Sequence, residues 1–162
     1  MKVIFLDVDG VLNYRYSTSK CQGCIGIDSD KVKRLRRIVE ATGAKIVLTS
    51  TWKMYWIRDP LLKDEQSESG NYLDRKLSRE RLFILDKTTE DRLSKRGEGI
   101  YDYLRKHYVE SWVVLDDEIF DDYEDYGIMP RLVKTSFYDD NGGLQDEHME
   151  LAIELLNTKQ ND

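Results

Sequence analysis

Hydrophobic residues along the chain fall into short unbroken runs separated by stretches of helical spacing. Val3 to Leu6, Lys45 to Leu48, Leu82 to Leu85 and Trp112 to Leu115 read as strands, and runs without polar alternation predict burial on both faces. Leu132 to Thr135 adds a short fifth strand. Between the first two, Val32, Leu35, Ile38 and Val39 recur at helical spacing, with capping oxygens at Asp28-Ser29-Asp30 and a stop at Gly43. A second helix is predicted from Glu98 to Tyr108, with Ile100, Tyr101, Leu104 and Tyr108 on one face. A third runs from Gln145 to Leu156, with Met149, Ala152, Ile153 and Leu156 inward. Strand, helix, strand in this order implies parallel pairs joined by right-handed crossovers, and so an α/β doubly wound, Rossmann-like parallel sheet.

The connecting stretches are less regular. Leu12 to about Ile27 is long enough to form a flap over the first strand's end, but not a folded cap domain. Trp52 to Leu62 reads as an aromatic-rich helix or helix start broken by Pro60, and Lys63 to Asn71 as a polar, solvated loop. Asp86 to Lys95 reads as a polar loop, Phe120 to Tyr126 as an acidic, tyrosine-rich loop, and Asn141-Gly142-Gly143 as a turn. The last polar residues are expected to fray.

With 162 residues, 40% of them hydrophobic, the chain has enough apolar surface for one core, and a single domain over 1–162 is expected. A net charge of −6 argues against a general nucleic-acid coat protein, though a local basic rim remains compatible with a phosphorylated end. Two cysteines leave little for a disulfide framework, and Asp7 and Asp9 interrupt the amino-terminal apolar run short of a signal-peptide core. No stretch is long enough to span a bilayer, so a cytoplasmic location without membrane partners is expected. Nothing in the pattern sets the oligomeric state.

Two strands end in acids: Asp7 and Asp9 follow the first, and Asp116-Asp117-Glu118 the fourth. Alternation along an extended backbone lets Asp7 and Asp9 share one side, and Gly10 permits a sharp turn. Unpaired buried charges are costly, so a cation or a chemical role is called for. If Asp7 and Asp116 hold one ion, strands one and four are neighbours, with strand two on the other flank of strand one. The site then lies at a topological switch point.

The stretch Asp7-Val8-Asp9-Gly10-Val11 resembles the first motif of the haloacid dehalogenase (HAD) superfamily. More narrowly, Asp9-Gly10-Val11-Leu12-Asn13, Ser50-Thr51-Trp52-Lys53 and Arg96-Gly97-Glu98-Gly99-Ile100 resemble the small HAD domains of "Swiss army knife" RNA-repair proteins. The resemblance implies strand order 5-4-1-2-3 with minimal or no cap. It also implies a Mg²⁺-dependent phosphatase, with Asp7 as nucleophile, Asp9 as general acid and base, and Ser50 on the phosphoryl oxygens. Thr51 and Gly10 are its neighbours in substrate binding. The third-motif cation is Lys95 or Arg96, and the family pattern points to Arg96. Asp7, the Val8 carbonyl, Asp9, Asp116 and Asp117 are the candidate metal ligands, an oxygen set that suits Mg²⁺.

Taken singly, each feature has a plainer reading. Acid pairs form turns, Lys-Arg pairs are solvated, and the basic face Lys31, Lys33, Arg34, Arg36 and Arg37 is most simply a wet helix surface. Cys21-Gln22-Gly23-Cys24 is half a zinc site at most, with His107 and His148 distant in sequence, and reads as two loop thiols. Tyr14, Tyr16, Trp52, Tyr55 and Trp56 are packing residues first and base-stacking platforms second. The open site favours a phosphorylated RNA or DNA end, approached by Arg15, Lys20, Lys53, Arg58 or the Arg75-to-Arg81 cluster. That substrate predicts a steeper salt dependence for oligonucleotides than for mononucleotides. A small-molecule phosphatase for a nucleotide or sugar phosphate, and a non-catalytic module that grips a phosphorylated end, are the alternatives.

Overall fold

The computed structural model describes residues 1–89 and 94–158. Its centre is a five-stranded parallel sheet of β1 (Lys2–Leu6), β4 (Lys45–Leu48), β5 (Ile84–Lys87), β6 (Ser111–Asp116) and β7 (Leu132–Lys134). Across the sheet the order is β5-β4-β1-β6-β7. Counting only sheet strands and reading from the β7 edge, this is 5-4-1-2-3, the order expected. The remaining strands, β2 (Lys20–Cys21) and β3 (Cys24–Ile25), form a small antiparallel hairpin within the 12–27 segment.

Strand alternation sorts the core into two layers. Ile4, Leu6, Ile46, Leu48, Val113 and Leu115 face one way, onto α1 (Ser29–Thr42), α2 (Glu68–Ser78) and α4 (Asp146–Asn157). Val3, Phe5, Val47 and Val114 face the other way, onto α3 (Arg96–Lys106) and Tyr123. Each fully buried side chain of this size contributes roughly 1.5–3 kcal/mol. The centre is therefore rigid enough to hold charges at its strand ends.

The 63–71 segment is not the solvated loop its composition predicts. Pro60–Glu65 is a 3₁₀ turn, and α2 starts at Glu68 under the hydroxyl of Ser67, which accepts from the Gly70 N–H. Leu73 and Leu77, four apart, are fully buried and anchor it. Two apolar residues and a glycine in the first turn, Gly70, gave too weak a periodic signal. Pro60 opens its turn rather than ending a helix, and Thr51–Met54 forms another 3₁₀ turn under Ser50.

Two further boundaries differ. β5 begins at Ile84, two residues beyond the run Leu82 to Leu85, because this edge strand alternates: Phe83 and Leu85 are exposed while Ile84 and Asp86 are buried. α3 runs Arg96–Lys106 rather than from Glu98 to Tyr108; Ile100 and Tyr103 are buried and Leu104 packs half-buried beside them, whereas Tyr101 and, beyond the helix, Tyr108 are exposed. The Asp28 side chain makes no cap on α1; it accepts from the Ser17 hydroxyl and pairs with Lys31, pinning the 12–27 segment to the helix. The expected 86–95 loop lies partly outside the described residues, as do the residues expected to fray after Leu156. Among the described residues no helix is long and apolar enough to cross a membrane.

Candidate active site

β1 and β6 pair in register, Leu6 beside Leu115, and the Asp7 N–H donates to the Leu115 carbonyl at 3.0 Å. That register sets Asp7, just past β1, level with Asp116, the last residue of β6. Asp117 follows, and one carboxylate oxygen from each of the three lies within 4.8 Å of the others. Gly10, at φ 84°, is where this crowding becomes a sequence constraint. A Cβ there would stand 2.2 Å from Asp117 Cγ, so only glycine lets the turn and the carboxylate share the space.

Arg96, the first residue of α3, reaches into the acids. Its Nη1 donates to Asp116 Oδ2 at 2.7 Å and lies 3.3 Å from Asp7 Oδ1, with the guanidinium carbon 4.2 Å from the centre of the Phe120 ring. The Tyr123 hydroxyl donates to the same Asp116 oxygen at 2.7 Å, and the Glu118 N–H to the other at 3.0 Å. Asp122 accepts from the N–H groups of Gly97 and Glu98, so the helix start that carries Arg96 is tied to the segment after β6. A side chain at Gly97 would meet Asp122 Cγ at 2.9 Å.

Charge dominates this site. Burial, and then the charge of Asp116, push the Asp7 carboxyl well above its ordinary range against the pull of Arg96. Burial raises Asp117 to about 6, with Asp116 and Glu118 adding to the rise and a hydrogen bond to Asp7 opposing it. For Arg96, burial favours loss of the proton, but Asp7 and Asp116 outweigh it and the guanidinium stays charged. Burial and Asp116 likewise hold the Tyr123 hydroxyl protonated. Three crowded carboxylates against one guanidinium form a group that a cation would stabilise.

Asp9 stands apart from those three. It is exposed, with Oδ1 accepting from Asn13 Nδ2 at 2.9 Å and Oδ2 from the Trp52 indole N–H at 3.1 Å. Asp7, Asp9, Arg96 and Asp117 line one open cleft of about 470 Å³, with Phe120 and Phe137 on its walls. Asp116 lies beneath it, fully buried. Several expected ligands are committed elsewhere. The Val8 carbonyl accepts from the N–H groups of Val11 and Leu12, so it serves the turn and is not a free metal ligand. The Gly10 N–H donates to Asn13 Oδ1 and its carbonyl accepts from Thr135 Oγ1. Ser50 is buried, and its hydroxyl accepts from the Trp52 N–H, whereas exposed Thr51 lines the cleft. Lys95 is exposed at the cap of α3, while its neighbour Arg96 points inward.

Asn13, Asp122 and Tyr123 carried no assigned role in the sequence, and Trp52 was read as a packing or stacking residue, not as a partner of Asp9. Asn13 and Trp52 stand inside the quoted motifs, but nothing in the pattern ties either to Asp9. Asp122 and Tyr123 belong to a loop without periodicity, where nothing marks one acid or one tyrosine as a buried partner. Cys21 and Cys24 are free and flank the turn of the β2–β3 hairpin. His107 Nδ1 donates to the Tyr103 carbonyl and His148 caps α4, so neither joins the thiols.

A family model described as the HAD domain in Swiss Army Knife RNA repair proteins matches residues 3–149. The chain belongs to this HAD family. Its match takes in every residue of the acidic cluster, Arg96 and both partners of Asp9. No curated protein and no solved structure was found to match the chain.

Proposed function

We propose that this HAD domain, the whole chain acting as one unit, is a Mg²⁺-dependent phosphomonoester hydrolase. It works through an aspartyl-phosphate on Asp7 and takes phosphorylated RNA or DNA ends as substrate. The observation that carries this reading is the division of labour among carboxylates. Asp7 is buried in the acidic cluster under Arg96, while Asp9, two residues on, is held in the same cleft by donors of its own.

In the first step a carboxylate oxygen of Asp7 attacks phosphorus, and the bond from phosphorus to the ester oxygen breaks. Asp9 gives that departing oxygen its proton. Asp9 then takes a proton from water, the water oxygen attacks phosphorus, and the acyl-phosphate bond breaks to restore Asp7 and release phosphate. Arg96 holds Asp7 and Asp116 in position and offsets part of their charge, and Thr51 supplies a hydroxyl at the cleft wall. Asp7, Asp116 and Asp117 are the residues that would hold Mg²⁺, which their all-oxygen chemistry fits. When bound, the ion neutralises charge between the carboxylates and a dianionic phosphate.

Phosphate release from end-phosphorylated oligonucleotides, mononucleotides, a sugar phosphate and an aryl phosphate, with and without Mg²⁺, tests this. Mg²⁺-dependent release, fastest from oligonucleotides, is expected. Release only from small substrates selects the small-molecule alternative, and oligonucleotide binding without release from any substrate selects the non-catalytic module.

A further inference from the structure

Beside the catalytic cleft lies a second one of about 500 Å³, and the two share Asp9, Thr51 and Phe137. Under the hydrolase reading, on which this inference rests, Asp9 protonates the departing oxygen. The alcohol attached to that oxygen therefore extends from Asp9, and the space open to it is the second cleft. Its walls differ in kind from those of the first. Trp52, Tyr55 and Phe137 present rings, and Gln22 and Ser69 present polar groups at the margin.

The rings are held before any ligand arrives. The Trp52 indole N–H is fixed on Asp9, and its ring meets that of Tyr55 edge to face at 6.4 Å and 89°. Tyr55 is nevertheless 47% exposed, so a large part of its surface is open to a partner. The opposite wall is the β2–β3 hairpin, tethered to α2 where the Ile27 N–H donates to the Tyr72 hydroxyl at 3.0 Å. Among the described residues lining the two clefts, Arg96 alone is cationic. Arg15, Arg58 and Arg75 instead pair with Asp140, Asp86 and Glu68. The second cleft thus lacks the charges that would grip further backbone phosphates, and has the planes and polar rim that suit a flat heteroaromatic ring.

We propose that the second cleft seats the base of the nucleotide whose phosphate is removed, with Tyr55 as a specificity-determining residue that stacks on it. Specificity then comes from the base nearest the phosphate rather than from the polyanion behind it. Base-on-aromatic stacking of this kind is worth roughly tenfold to a hundredfold in affinity.

The test compares kcat/KM for three substrates: a mononucleotide, an oligonucleotide with a phosphorylated base-bearing end, and the same oligonucleotide with a phosphorylated abasic end. Each is measured on the wild type, Tyr55→Ala and Tyr55→Phe. In parallel, an unphosphorylated nucleoside is titrated while the indole N–H resonances of the three tryptophans are followed. The expected result is a base-bearing over abasic preference of about tenfold or more. Tyr55→Ala should reduce the ratio severalfold, Tyr55→Phe should restore it, and nucleoside should shift the Trp52 resonance selectively. A preference for the base-bearing over the abasic end supports the subsite, and the faster of the mononucleotide and the base-bearing oligonucleotide shows whether the nucleotide is free or terminal. Equal kcat/KM for base-bearing and abasic ends overturns the inference even if both are hydrolysed. If no substrate is hydrolysed, the hydrolase reading fails by itself. The nucleoside titration then decides alone: a Trp52 shift sustained by Tyr55→Phe and lost in Tyr55→Ala upholds a base site, and no shift removes it.

Discussion

Arg96 and Asp116 are joined by a 2.7 Å hydrogen bond inside the protein, where the guanidinium is the cation that the crowded carboxylates share. Removing one partner of a buried pair leaves the other charge uncompensated, at a cost of about 3–5 kcal/mol. Arg96→Ala should lower metal-free stability by roughly that amount in denaturant unfolding and abolish phosphate release. Arg96→Lys keeps the charge but not the planar guanidinium that lies over the Phe120 ring, so it should recover stability better than turnover. Stability unchanged in Arg96→Ala would mean that the carboxylates do not depend on this cation.

Asp122 touches no part of the cleft chemistry, yet it caps the helix that delivers Arg96. Asp122→Ala should cost about 0.5–2 kcal/mol, as lost caps do, and reduce kcat more than it raises KM. Asp122→Asn, which keeps an accepting oxygen, should recover most of both. A KM effect alone would show that Asp122 serves binding and not the placement of Arg96.

Gly10→Ala tests the close approach between the first turn and Asp117. The added carbon has no room at 2.2 Å from Asp117 Cγ, and the φ of 84° strains any side chain. The expected outcome is weaker divalent-cation binding by calorimetry together with lower thermal stability. Cation affinity equal to that of wild type would exclude Asp117 from the ion site.

The acidic cluster also sets a pH dependence. Asp117 rises from an ordinary 3.8 to about 6 and Asp7 moves the same way, so the folded protein holds protons that the unfolded chain gives up. The stability this contributes is fully present below about pH 4 and is lost as pH rises through about 6. A bound divalent cation favours the ionised carboxylates and should restore stability above that window. The increase in melting temperature on adding Mg²⁺ should therefore be larger at about pH 7.5 than at about pH 5. Equal increases would separate the cation from these carboxylates.

Much of this was legible because the strongest signals in the chain are the ones that build the site. Unbroken apolar runs ending in acids marked β1 and β6, and the need for Asp7 and Asp116 to meet put them side by side. The details resisted wherever tertiary contact overrides local pattern. α2 rests on only two buried leucines, and β5 takes its register from edge alternation. The Val8 carbonyl, reasonable as a ligand by position, is consumed by a turn whose hydrogen bonds no sequence pattern reveals. Ser50 and Thr51 are adjacent in the motif, and only the 3₁₀ turn decides that Ser50 is buried while Thr51 lines the cleft. Arg15, Arg58 and Arg75, three of the cations expected near a nucleic-acid end, find acidic partners instead, because a surface rich in both signs pairs locally before it gathers a patch.

The central claim is that Asp7 carries the phosphoryl group, and one measurement bears on it most directly. Asp9→Asn protein is mixed with substrate and Mg²⁺, quenched in acid, digested and read by mass spectrometry. Loss of the base should slow hydrolysis of the intermediate, so the peptide containing Asp7 is expected to appear one phosphoryl group heavier, and Asp7→Asn should carry no label and release no phosphate. Full phosphate release by Asp7→Asn, or a label on any residue other than Asp7, would contradict the account.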